Sequence, residues 1–315
     1  MFSRRKFLRT AAVVTAATGS AAGLPLHAAA QANAPSRNAS GRIKLQDSTE
    51  LFVKDWGSGC PVILTHAWPL SSDCWDHQAV ALADAGYRVI SYDRRGFGRS
   101  SQPSTGYNYN VFADDLAAVI KATGVQDVTL IGFSMGGGEI VRYFSRHGGR
   151  GVIKAGLVAT VVPGLAKSKN NPNGADPAFF DGLKDNLRKD RPTFLAGLLK
   201  DVFYDVATSA KSANPVSQAV LDWSLHMSLQ ASLPALIGSV DAFGKEDFTA
   251  DLAAVRVPTL ILHGTADKPV PVELGRRAAK GIAKSKLLEY EGATHGLLVT
   301  ERERVTRDLL DFLAA

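Results

Sequence analysis

Val128-Thr129-Leu130-Ile131-Gly132-Phe133-Ser134-Met135-Gly136-Gly137-Gly138 runs from an apolar stretch through a glycine-flanked serine into a helical segment beginning near Glu139. The run reads as strand, sharp turn and helix, and the turn carries the pattern G-x-S-x-G. Such a turn holds its serine in a strained backbone conformation. The residues two before and two after must then be nearly free of side chain, so that strand and helix can approach. The turn also puts Ser134 at a helix N-terminus, where backbone N–H groups and the helix dipole favour a developing negative charge. The N–H of Met135 is therefore a candidate oxyanion donor. A bare G-x-S-x-G is a weak signal, and the strand before it and the helix after it make this one specific.

On both sides of this turn, short β-branched runs alternate with longer helical stretches. Residues 42–45 and 50–56 suit an opening hairpin, and strand-like runs follow at 62–65, 89–92, 128–131, 154–160, 259–262 and 287–290. These runs are apolar throughout rather than alternating, as strands buried on both faces are, and parallel pairing needs crossover helices. The fold class is α/β, a mostly parallel doubly wound sheet. Between Pro163 and about Lys245 no strand pattern appears, Asn170-Asn171-Pro172-Asn173-Gly174 makes a loop, and helix-like stretches run from Pro177 onward. The reading is a helical cap at 164–245, inserted into a core formed by 42–163 and 246–315.

A serine hydroxyl is a poor nucleophile until a base takes its proton, so a histidine and an orienting carboxylate are required. Of the seven histidines, His27 falls in the leader, His66 and His263 end strands, and His77, His147 and His226 have helix-like surroundings. Only His295, in Gly292-Ala293-Thr294-His295-Gly296, sits in a loop between the last strand and the last helix. The carboxylate belongs after the preceding strand, where His263-Gly264-Thr265-Ala266-Asp267 supplies Asp267. The second oxyanion donor is expected from the loop His66-Ala67-Trp68-Pro69-Leu70, as the backbone N–H of Trp68, and the Trp68-Pro69 bond is a candidate for cis. Tyr92-Asp93-Arg94-Arg95-Gly96-Phe97-Gly98-Arg99-Ser100 reads as a structural loop, its Asp93 and arginines binding backbone and each other. Trp68, Met135, Phe179 and Phe180 are expected to line the substrate pocket.

With 315 residues, 45% hydrophobic and 21% charged, the chain has material for one large core. A net charge of +6 raises nucleic acid or a membrane surface as partner, but Arg4, Arg5, Lys6 and Arg9 crowd the first ten positions and no acidic residue precedes Asp47. That excess belongs largely to the leader, and no nucleic-acid partner is expected. Ser3-Arg4-Arg5-Lys6-Phe7-Leu8-Arg9, an Ala/Val/Thr stretch and Ala28-Ala29-Ala30-Gln31-Ala32 read as a twin-arginine signal peptide over 1–32, engaging the Tat export machinery. The apolar stretch, at about fifteen residues, is short of the ~20 that span a bilayer, so no stable membrane insertion is expected. Residues 33–41 read as a disordered junction, and the mature protein is expected to be periplasmic or secreted. Cys60 and Cys74 flank a strand, which sets them too far apart for a disulfide, so two free thiols are expected.

Taken together, these residues resemble the cofactor-free, non-heme haloperoxidases (chloroperoxidases or perhydrolases) and aryl esterases of the α/β-hydrolase superfamily, from about residue 43 to 313. The resemblance rests on the elbow and on the oxyanion loop 66–70, the 92–100 loop, Gly136-Gly137-Gly138-Glu139, Asn171-Pro172-Asn173-Gly174, Asp190-Arg191, Val257-Pro258-Thr259-Leu260 and His295-Gly296. It implies a Ser134, Asp267 and His295 triad, oxyanion donors Trp68 and Met135, and no cofactor, metal or haem. It also implies a small-molecule acyl substrate, with water or hydrogen peroxide as acyl acceptor. Ala67 stands where the family usually has glycine, and an export signal is not its usual form. Serine at the elbow excludes the dehalogenase and epoxide hydrolase chemistries, which need aspartate there. A lactone or C–C bond hydrolase with the same triad, and a non-catalytic ligand receptor on this fold, are the alternatives.

Overall fold

The computed structural model describes residues 41–315; the expected signal peptide and all but the last residue of the 33–41 junction lie outside them. β1 (Arg42–Lys44) and β2 (Glu50–Gly57) pair antiparallel as the opening hairpin. There follow β3 (Pro61–Thr65), α1 (Asp76–Asp84), β4 (Arg88–Tyr92), α2 (Tyr109–Thr123), β5 (Val128–Phe133), α3 (Met135–His147) and β6 (Val152–Val158). Four helices come next, α4 (Pro177–Leu198), α5 (Val206–Ser209), α6 (Gln218–Leu229) and α7 (Leu233–Phe243). The chain then returns to the sheet with β7 (Thr259–Gly264), α8 (Val272–Gly281) and β8 (Ser285–Tyr290), and finishes with α9 (Leu297–Thr300) and α10 (Arg302–Ala314).

The strands form one sheet in the order β1-β2-β4-β3-β5-β6-β7-β8. β2 is antiparallel to β4, and every neighbouring pair from β4 to β8 is parallel. Successive side chains of a strand point to opposite faces, and each face here owns a core. Ile63, Leu130 and Ile261 enter the core beneath α2, α3 and α8, whereas Val62, Leu64, Ile131, Leu260 and Leu262 enter the one beneath α1 and α10. Fully burying an aliphatic side chain of this kind stabilises by about 1.5–3 kcal/mol, so the sheet's centre is its most firmly held part. The nucleophile turn leaves from that centre, since β5 lies between β3 and β6.

Most strands differ from the sequence reading by one or two residues at an end, β5 and β7 for example running on to Phe133 and Gly264. β6 spans Val152–Val158 rather than 154–160, because Ala159 turns to φ +45° and leaves the ladder. β8 begins at Ser285 rather than 287, its first residue pairing with Thr259. The helices α4 to α7 fall within the stretch expected as the cap, and α4 is broken at Asp190 just ahead of Pro192, which cannot donate to the helical ladder. Cys60 is exposed and Cys74 buried, and both are free. Among the described residues no helix is long and apolar enough to cross a membrane.

Candidate active site

Ser134 sits between the last residue of β5 and the first of α3 with φ +55° and ψ −114°. A non-glycine residue there is strained and persists only where its surroundings hold it. Its N–H donates to Val158 O at 2.8 Å, and its carbonyl accepts from Gly137 N at 3.0 Å. A Cβ on Gly132 would stand 2.5 Å from the Gly136 carbonyl carbon, and one on Gly136 would stand 2.6 Å from Thr65 O. Only glycine lets the helix start close enough to the sheet at these two positions.

The loops after β7 and β8 are stitched to one another. Ala266 N donates to Ala293 O at 3.0 Å and Gly292 N to Thr265 Oγ1 at 2.8 Å. This join brings Asp267 and His295 together: His295 Nδ1 lies 2.7 Å from Asp267 Oδ2, and His295 Nε2 lies 3.0 Å from Ser134 Oγ. The other carboxylate oxygen of Asp267 accepts from Val270 N at 2.8 Å. All three side chains are buried. The His295 ring stacks on Phe133, with centroids 5.3 Å apart, and packs perpendicular to Phe203 at 4.8 Å between centroids. A hydroxyl, an imidazole and a carboxylate in this chain of contacts can pass the serine proton to His295 while Asp267 stabilises the imidazolium.

The residues of both expected oxyanion donors stand at this site. Trp68 and Met135 line the same cavity as Ser134 and His295, and among the described residues no protein acceptor takes the N–H of either. The Trp68–Pro69 bond is cis. Ala67 does not adopt a positive φ, so this loop makes no demand that only glycine could meet. Trp68 packs edge-on against Phe243, which in turn meets Phe180. The cavity holds about 780 Å³ and is walled by these rings with Phe203, Leu183 and Leu198. Phe180 is buried, whereas Phe179 is 56% exposed at the cavity wall; adjacent helical residues point in different directions, so only one of the two can turn fully inward.

Around the site lie buried charges that do not touch it. Arg94 pairs with Glu139 at 2.7 Å, with Tyr92 as a further hydrogen-bond donor to that carboxylate. Burial pulls Arg94 down to about 10, which leaves it charged at neutral pH, and pushes the Glu139 carboxyl up. His66 accepts from Arg94 N through Nε2 at 2.9 Å, so its proton resides on Nδ1, 2.9 Å from Ala67 O. Burial, and then the charge of Arg94, push His66 down to about 3. Asp93 accepts from Ser72 N and from Arg99, as expected of a structural loop.

The sequence reading did not single out His263. Its Nε2 lies 2.8 Å from Val270 O and 3.6 Å from Asp267 Oδ2, and burial pulls it below the usual histidine range. Its one sequence signal was its place at the end of the strand that leads to Asp267. Among the described residues no group of three or more His, Cys, Asp or Glu is placed to hold a metal ion.

A family model described as the alpha/beta hydrolase fold matches residues 61–301. The chain belongs to the α/β-hydrolase family. This hydrolase is 40% identical over 271 residues to a non-heme chloroperoxidase from Kitasatospora aureofaciens, a match covering 85% of this chain and 97% of the relative. It is 39% identical over 277 residues to a bifunctional esterase/perhydrolase from Acinetobacter calcoaceticus, covering 87% and 99% of the two chains. A bromoperoxidase from Bacillus anthracis superposes on it with a TM-score of 0.82 at 39% identity, covering 87% of this chain and 99% of that one.

Proposed function

We propose that this α/β-hydrolase cleaves carboxylic esters through an acyl-enzyme on Ser134 and passes the acyl group to water or to hydrogen peroxide. The observation that carries the reading is the continuous contact from Ser134 Oγ through His295 to Asp267, at 3.0 and 2.7 Å, beside two unpaired backbone N–H groups. Ser134 Oγ attacks the carbonyl carbon, and His295 Nε2 takes the hydroxyl proton. The tetrahedral oxyanion accepts from the N–H groups of Trp68 and Met135, each such donor contributing about 10²–10³ in rate. His295 then returns the proton to the leaving alcohol. In the second half water attacks the acyl-enzyme with His295 as base, releasing a carboxylic acid. Hydrogen peroxide in the place of water releases a peracid, which oxidises halide in solution. The haloperoxidase and esterase/perhydrolase names of the relatives support one site serving both reactions.

The test is hydrolysis of p-nitrophenyl acetate and bromide-dependent bromination of monochlorodimedone in acetate and peroxide, each compared with Ser134→Ala. Loss of both activities in the variant is expected. A folded wild-type enzyme lacking both would overturn the reading. We also propose export through the Tat machinery, supported by the Ser3 to Arg9 stretch alone. N-terminal sequencing of periplasmic protein should find cleavage near Ala30 or Ala32.

A further inference from the structure

Three consecutive residues between α4 and α5 make contacts that the hydrolase reading leaves unused. Phe203 ends the single wide turn Leu199–Phe203, in which the ladder is of the π type, and meets the His295 ring edge-on at 4.8 Å and Phe133 at 5.8 Å. Tyr204 O accepts from Thr294 Oγ1 at 3.0 Å, and its ring lies so close to Gly296 that a Cβ there would stand 2.4 Å from Tyr204 Cδ1. Asp205 Oδ2 lies 2.8 Å from Lys268 Nζ. Thr294 and Gly296 flank His295, and Lys268 follows Asp267. This one segment therefore lands on the neighbours of both the base and its orienting carboxylate. It is itself anchored, because Tyr204 Oη lies 2.8 Å from Ser224 Oγ of α6 and Asp205 is held at φ +41°, in the left-handed region. A non-glycine residue stays there only when its surroundings over-determine it.

The imidazole needs such support. Rotation about the bond to a histidine ring is broad, and the contacts of its two nitrogens with Asp267 and Ser134 leave the ring free to tilt about the line between them. Phe133 stacks on one face of His295, and it comes from the sheet; Phe203 packs perpendicular to the ring, and it comes from the inserted helices. We propose that the segment Phe203-Tyr204-Asp205 is a clasp that holds the histidine–aspartate pair in register, with Phe203 as a positioning residue acting through His295. The proposal rests on the roles assigned to Ser134, His295 and Asp267 above. The inserted helices then complete the catalytic geometry as well as cover the pocket.

The test compares Phe203→Ala and Phe203→Leu with wild type in the full chain. Two readouts are taken: kcat and KM on p-nitrophenyl acetate, and the rate of covalent labelling of Ser134 by a fluorophosphonate, which needs no turnover. Misplacement of a reacting group by about 1 Å costs up to about 10²-fold, so Phe203→Ala should lose about tenfold or more in kcat with KM within about twofold. Labelling should slow in parallel, and Phe203→Leu should fall between. If the alanine variant fails to fold, Phe203→Leu decides by the same criterion, with a loss of about threefold or more. A kcat within about twofold of wild type, or a loss expressed in KM alone, overturns the clasp and leaves Phe203 as a pocket wall. A wild type that neither hydrolyses nor labels overturns the underlying hydrolase reading, and the clasp falls with it.

Discussion

His66 and His295 lie within one molecule at nearly the same depth, 0% and 2% exposed, and have opposite fates. His66 gives both ring nitrogens to backbone groups that cannot react, Arg94 N on one side and Ala67 O on the other. Its neighbours Arg94, Glu139 and Tyr92 likewise spend their polar atoms on one another. His295 ties one nitrogen to Asp267 and points the other at a hydroxyl that opens onto a cavity. Burial is common to both clusters; what separates them is an unfinished valence facing a space that a substrate can enter. A charged cluster closed on all sides has no group left to offer a substrate, whereas one left open at a single point has the arrangement that the proposed chemistry needs.

The comparison is sharpest where the two clusters are cut separately. Ser134→Ala should lower kcat by about 10⁶-fold on p-nitrophenyl acetate, the scale on which triad members act as a unit, while its urea midpoint stays in place. A surviving activity there would break the contrast. Arg94→Met should do the reverse, leaving Glu139 buried without its partner at a cost of about 3–5 kcal/mol in urea unfolding. Adding Glu139→Leu to that variant should recover most of the loss. A smaller effect is expected from pH. His66 has a folded-state value of about 3 against 6.5 in the unfolded chain, so the unfolded state binds the extra proton and stability falls as pH drops from 6.5 toward 3. Between pH 8 and pH 5 that contribution is about 2 kcal/mol, and chemical denaturation of His66→Gln should show a slope flatter by that amount. The smallest effect belongs to Phe179→Ala, which at 56% exposure should move stability by no more than about 0.5 kcal/mol and leave kcat on acetate esters unchanged.

The elbow was legible because its chemistry is local: Gly132, Ser134 and Gly136 lie within five residues, and the steric demand that fixes them acts over that same span. Asp267 and His295 were legible because each follows a strand of an α/β sheet in a set order, which reduces a long-range contact to a question of position. The parallel sheet showed in its uniformly apolar runs. What stayed hidden depends on how the inserted helices settle. Phe203 and Asp205 carry no motif, and their contacts with Phe133, His295 and Lys268 exist only once α4 to α7 have packed. His263 was hidden for a related reason, since its role lies in the carbonyl of Val270 and the carboxylate of Asp267, both beyond the strand it ends. The early end of β6 reflects the turn at Ala159, a backbone angle that alanine does not advertise.

The order of the chain has a practical corollary. Ser134 lies before the inserted helices, whereas Asp267 and His295 lie after them, and residues Lys211, Ala213 and Pro215 are exposed between α5 and α6. A break in that stretch would give two fragments, one holding the proposed nucleophile and the other its base and orienting carboxylate, each expected to be inert alone. Ester turnover would then become a binary report of whether the two pieces have met, with sheet assembly between β6 and β7 as the event being counted.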